Sequence, residues 1–180
     1  MENGHHFVFG ETQDFLTGAV ITDTHDERYR QQIARFLVEK KGYAREDITP
    51  RVGLLAKAGD KTRLLTVDLA VTRDHKTAMI LRYAPGSLVT RHRPCLAASR
   101  LLEPYQIPVV VVTNGEDAQV LDGETGKVLG EGLESVPDAV ALKQLVQSAA
   151  FAPIDDKRRE MESRIIYTYE AVGACNCDVC

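Results

Sequence analysis

The sequence predicts one α+β domain, an α/β mixture built on a mixed sheet flanked by helices, and three observations carry that expectation. A capped amphipathic helix comes first, two strand-like apolar runs follow it, and a valine run lies one helical segment further on. With 180 residues, 44% of them hydrophobic, the chain has material for one sizeable core. The expected division is a domain over residues 1–152, its core about 22–136, with residues 153–180 forming a C-terminal helix and tail packed on it.

The first helix announces itself by the capping box Thr24-His25-Asp26-Glu27. Tyr29, Ile33, Phe36, Leu37 and Lys40 then recur at helical spacing, Arg28, Arg30 and Gln31 take the polar face, and Gly42 supplies a stop. Strands follow over 48–56 and 63–71, joined by the turn dipeptide Gly59-Asp60, and over 78–83 after Asp74-His75. This is a three-stranded antiparallel meander. A helix over 93–102 tolerates Pro94 in its first turn, and Ile107 to Val112 reads as a buried strand reached by a crossover. Thr113-Asn114-Gly115 turns the chain into a strand over 118–121, and Asp122-Gly123-Glu124-Thr125-Gly126 turns it again into 127–129. A helix over 137–150 and a last one over 155–172, with Met161, Ile165, Tyr169 and Val172 on one stripe, complete the order. Phe7, Val8, Phe9, Phe15 and Leu16 are expected to cover the sheet, after a flexible start at His5-His6.

Composition excludes several classes. No apolar run reaches the length of a membrane span, and the amino terminus lacks a basic-then-apolar signal, so a cytoplasmic location is expected. The net charge of −4 argues against a dedicated nucleic-acid binder, although local charge can override it. No phosphate-cradling glycine loop, nucleophile elbow or His-Glu-x-x-His helix occurs.

The residue that reads as a site is Asp68, one carboxylate inside Leu64-Leu65-Thr66-Val67-Asp68-Leu69-Ala70-Val71. A charge placed among β-formers is costly unless it is paired or metal-bound. The plain structural account is a salt bridge to Arg30 or Arg82. The next strand, Ala78-Met79-Ile80-Leu81-Arg82-Tyr83, offers no acid.

Asp26 to Gln31, Phe36 to Tyr43, Val67-Asp68-Leu69-Ala70-Val71, Ala84-Pro85-Gly86 and Val111-Val112-Thr113-Asn114-Gly115 together resemble the N-terminal nuclease domain of type I restriction enzyme R proteins. The resemblance implies a restriction-endonuclease-like core of the PD-(D/E)XK superfamily. In that family the second-strand aspartate binds a divalent ion, usually Mg²⁺, and the third strand supplies a glutamate and, two residues on, a lysine. Asp68 matches the aspartate, but the glutamate position falls on Leu81 and the lysine position on Tyr83, which makes the active site degenerate. A leucine supplies neither a ligand nor a polarised water. Glu27 and Asp74 are the carboxylates available for a relocated ligand, and Lys76 or Arg82 the stand-in cations; the structural accounts of Glu27 and Asp74 are a cap and a turn.

Two further groups stand out. Between Asp74 and Glu103 there is no acid, while Lys76, Arg82, Arg91, Arg93 and Arg100 are present with His92. The resemblance puts this stretch on the DNA-facing side, making Arg82, Arg91, Arg93 and Lys76 phosphate contacts; the alternative is a solvated surface. The tail carries Cys175, Cys177 and Cys180, three thiols where Zn²⁺ or an iron-sulfur cluster needs four ligands. Cys95 is the expected fourth, with His92, His5 or His6 as substitutes; otherwise the tail is an oxidisable one and Cys95 a small core residue. Three function classes follow: a catalytically inactive module acting in nucleic-acid or protein interaction, a divalent-metal endodeoxyribonuclease with relocated residues, and a metal- or redox-responsive module using the cysteines. The first is the leading expectation, with DNA or another protein subunit as partner and no membrane.

Overall fold

The computed structural model describes residues 8–173, with side chains as far as Tyr169. β1 (Val8–Gln13) and β2 (Val20–Thr24) pair with each other, and α1 (His25–Glu39) follows. β3 (Ile48–Ala58), β4 (Lys61–Arg73) and β5 (Lys76–Tyr83) form the expected meander. α2 (His92–Leu101) carries the chain across to β6 (Val109–Thr113), which runs parallel to β5. β7 (Ala118–Asp122) and β8 (Val128–Glu131) return antiparallel, and α3 (Ala139–Ser148) and α4 (Asp156–Gly173) close the order. The main sheet therefore has six strands in the order β3-β4-β5-β6-β7-β8. The fold is α+β.

Local chemistry accounts for each change of direction. Gly59, at φ 61, opens a two-residue loop between the paired Ala58 and Lys61, the place a type II′ hairpin reserves for glycine. Asp74 and His75, at φ 49 and 62, make the mirror-image type I′ turn between Arg73 and Lys76. α1 ends where Gly42 turns left-handed, with Lys41 N donating to Phe36 O and Tyr43 N to Leu37 O. The parallel pair β5 and β6 cannot be joined by a tight turn, and α2 is the crossover it needs.

The sheet separates two cores. On one face Ile33 and Leu37 of α1 and Leu142 and Val146 of α3 pack on Leu69, Val71, Leu81 and Tyr83. On the other, Leu96 and Leu101 of α2 and Ile166 of α4 pack on Leu54, Val67, Ile80 and Val110. Each fully buried aliphatic side chain contributes roughly 1.5–3 kcal/mol, so both faces are needed.

Two sequence expectations are corrected. Phe15 and Leu16 do pack against the core, but Val8 and Phe9 are exposed, because β1 and β2 pair only with each other, apart from the main sheet, and Phe9 rests on the polar side chains of His25 and Arg28. Phe7, His5 and His6 lie outside the described residues. In α4 the buried residues are Glu162, Ser163 and Ile166, while Met161 and Tyr169 are exposed. The helix is rotated by about one residue because Glu162 meets arginines of α2 and Ser163 Oγ accepts from Lys57 N.

Candidate functional site

Asp68 sits where the long β3–β4 ladder is distorted. Pairing runs from Pro50 with Leu69 to Val52 with Val67 and skips Arg51 and Asp68 between them. Arg51 has φ 54, an uncommon left-handed conformation for a residue other than glycine. A regular strand keeps alternate residues on one face. Here Leu65 and Val67 belong to the α2 core, whereas Leu69 and Val71 belong to the α1 core. The irregularity re-aims the strand at the carboxylate, as bulges do beside functional positions.

Both Asp68 oxygens are engaged. Arg30 Nε of α1 donates to Oδ1 at 2.5 Å, and the Tyr83 amide donates to Oδ2 at 2.8 Å. The ion-pair reading of Asp68 thus finds its partner in Arg30. Burial pulls the Arg30 guanidinium down, but Asp68 outweighs it and the net direction is upward. Arg30 Nη1 also lies 3.5 Å from Glu27 Oε2. A guanidinium therefore stands between the two carboxylates.

Glu27 is not spent on its cap. Thr24 Oγ1 accepts from Glu27 N at 3.1 Å, which is half of the capping box. The Glu27 carboxylate turns inward instead, taking Arg51 Nη2 at 2.6 Å and Gln31 Nε2 at 2.8 Å. Beyond it lies Asp14, at the start of the β1–β2 turn, with Arg51 Nη1 at 2.7 Å and Gln31 Nε2 at 3.0 Å. Asp14 Oδ1 also accepts from Leu16 N, Thr17 N and Thr17 Oγ1. Burial pushes the Asp14 carboxyl up, but the Thr17 backbone, Arg51 and Gln31 bonds outweigh it and hold Asp14 at about 2.

The structure brings together Asp68 and Glu27 and adds Asp14, Arg51, Arg30 and Gln31. Asp14 and Arg51 were not singled out in the sequence. Arg51 carried the same signal as Asp68, a charge in an apolar strand, whereas Asp14 in a turn carried none. Asp74 is remote from this group, in the exposed turn between β4 and β5.

The positions expected to complete a metal site are built into the core. Leu81 pairs with Leu69 and is 2% exposed. Tyr83 is buried, stacks on Tyr29 at 5.3 Å and faces the Arg30 guanidinium at 5.9 Å. Burial is the main reason that its hydroxyl is pushed upward from the ordinary tyrosine value. Tyr29 in turn lies against Gly115, where a β-carbon would stand 2.4 Å from the ring. Mg²⁺ does not fit these residues as they stand: each Asp68 oxygen already accepts a hydrogen bond, Leu81 and Tyr83 bring no second carboxylate, and the Arg30 guanidinium fills the gap to Glu27. Among the described residues no group of three or more His, Cys, Asp and Glu is arranged to hold a metal ion.

The cations do not form one surface. Lys76 is at the opposite end of β5 from Arg82, about 20 Å away at strand rise, with its ammonium 4.5 Å from the Phe151 ring. Arg93 lies 2.5 Å from buried Glu162, which also meets Arg100 at 2.9 Å and Arg158 at 2.6 Å. Burial pushes Glu162 up, yet the bonds from Arg93 and Arg158 leave it net below the ordinary carboxylate range. Arg100, buried and spending its donors on Glu162, Gln106 and the carbonyls of Gly123 and Glu124, is pulled down. Arg82 and Arg91 line a small recess with Cys95 and Tyr169. Cys95 is buried in the first turn of α2, as expected, while Cys175, Cys177 and Cys180 lie outside the described residues.

No described helix is long and apolar enough to cross a membrane. No curated protein and no solved structure matches the chain. One family does: the type I restriction enzyme R protein N terminus matches residues 25–137, from the first residue of α1 to the residue before the Asp138 cap of α3. Asp14 and the β1–β2 hairpin precede that match, as α4 follows it. The matched stretch covers more than half of the chain and contains Glu27, Arg30, Arg51, Asp68, Leu81 and Tyr83, so the chain belongs to the family of type I restriction enzyme R protein N-terminal domains.

Proposed function

We propose that this chain is a non-cleaving member of the restriction R-protein family, retained as an interaction module. The observation that carries the reading is the double engagement of Asp68, by the Arg30 guanidinium and the Tyr83 amide. A metal-dependent nuclease must leave such a carboxylate open to the ion and must set a second oxygen ligand and a polarised water beside it. Leu81 and Tyr83 offer a hydrocarbon and a stacked phenol at those places. The charge that a divalent cation would neutralise is met by Arg30 and Arg51.

DNA is the partner this reading assigns. Arg82 and Arg91 lie toward the end of β5 where Tyr83 meets Asp68, whereas Arg93 is drawn to Glu162; arginines in such a place contact phosphates without reading bases. Supercoiled plasmid incubated with the parent chain and Mg²⁺ or Mn²⁺ is expected to remain intact. Nicking by the parent that disappears in Asp68→Ala would overturn the loss of catalysis. Duplex retention that weakens steeply with salt supports DNA as partner; no retention at low salt transfers the role to another protein subunit.

A further inference from the structure

The opposite end of the sheet carries a cavity of about 280 Å³ that the Asp68 network does not reach. Val109 of β6 pairs with Asp122 of β7 at this end, whereas Thr113 pairs with Tyr83 at the other, four residues or about 13 Å of strand away. Pro108, Leu129, Leu145 and Phe151 supply apolar wall, and Asp122 and Glu124 supply carboxylates. None of the lining residues is a lysine or arginine. The cavity thus has apolar walls and a one-signed charge, the combination that selects an apolar stem ending in a cation.

Two observations add to this. Phe151 is held at φ 45, strained for a bulky residue, and such strain concentrates at ligand clamps. Its ring already receives a cation, the Lys76 ammonium at 4.5 Å. Around the mouth, Leu129 and Leu145 are exposed. A chain segment that runs on past the cavity would cover the outer parts of these two side chains as well as their inner faces.

We propose that this cavity docks a short segment of a protein partner in which a basic side chain is flanked by apolar residues. The basic stem enters the cavity toward Asp122 and Glu124, and the flanking residues cover Leu129 and Leu145. Asp122 Oδ1 accepts from Thr125 N and Oγ1, both at 2.7 Å, which fixes the carboxylate for such a contact. The proposal is independent of what becomes of Asp68.

The test uses the full chain and two fluorescein-labelled six-residue probes, one alternating leucine with arginine, the other alternating leucine with glutamate. Anisotropy is expected to give at least tenfold tighter binding of the arginine probe, and amide NMR shifts to cluster at residues 106–109, 122–129 and 145–152. Glu124→Lys and Leu145→Glu should each weaken binding at least fivefold. Asp60→Lys, the same charge change in the β3–β4 turn across the sheet, should leave it unchanged. Equal binding of the two probes, shifts centred elsewhere, or an equal loss in Asp60→Lys would overturn the proposal. If Leu145→Glu lowers Tm, Glu124→Lys decides alone, since Glu124 is exposed in a turn.

Discussion

Two charge clusters flank the sheet, and they are built to opposite recipes. Against α1, three carboxylates (Asp14, Glu27 and Asp68) share two guanidiniums (Arg30 and Arg51). Against α2 and α4, a single carboxylate, Glu162, is shared by three guanidiniums (Arg93, Arg100 and Arg158). The acid-rich cluster stands at a ladder distortion. The arginine-rich cluster stands between two helices and has no strand irregularity beside it. Buried charge is therefore common to both faces of this sheet; an irregular strand pair accompanies it only at Asp68.

The largest expected effect separates the clusters. Glu162 is wholly buried, so Glu162→Ala leaves three cations facing one another and should cost about 3 kcal/mol, or roughly 6–12 °C in Tm. Thermal denaturation measures it, and a loss below about 1 kcal/mol would mean that Arg93 and Arg158 simply swing out to water. Next comes Asp68→Ala, which should lose about 2 kcal/mol, since its partner Arg30 is partly exposed and can recruit solvent. The pair change Asp68→Leu with Arg30→Met should lose less than Asp68→Ala alone, because a packed apolar pair removes the unpaired charge. If the double variant is the less stable, the ion pair is stabilising in its own right.

The smallest effect is confined to acid. Asp14 titrates at about 2 in the folded chain against an ordinary 3.8, so its folded value is lowered. A lowered carboxylate contributes stability above its unfolded value and loses it as pH falls through the folded one. That contribution, about 2 kcal/mol, is expected in full near neutrality and should fade between pH 4 and pH 2. Denaturant midpoints across that window should flatten in Asp14→Asn relative to the parent. A parallel decline in both chains would remove Asp14 from the acid response.

Most of the fold was legible because its signals are local. The β3–β5 meander, the β5–α2–β6 crossover and the later hairpins follow from apolar runs punctuated by Gly59-Asp60, Asp74-His75 and Asn114-Gly115. The β1–β2 hairpin was not legible, since an apolar start such as Val8-Phe9 reads as core cover, yet the hairpin stands apart from the main sheet and leaves both side chains exposed. The rotation of α4 was hidden too. Periodicity ranks Met161 above Glu162 for burial, and only the arginines of another helix reverse that order. Asp68 was visible as an acid among β-formers, and its ion-pair partner Arg30 stood among the candidates on the polar face of α1. Arg51 and Asp14 join its cluster, through Glu27, from positions 17 and 54 residues before it in the chain, a closeness that no spacing rule encodes.

The last helix also fastens its neighbour. Arg159 donates to the carbonyls of Arg100, Leu101 and Glu103, closing the end of α2, three residues before Glu162 meets the arginines. A shortened version of the chain stopping at residue 152 would therefore expose unsatisfied carbonyls and strand Arg100 inside the protein. For anyone preparing crystals or fusions of this domain, the practical boundary lies beyond α4 and not at the proline before it.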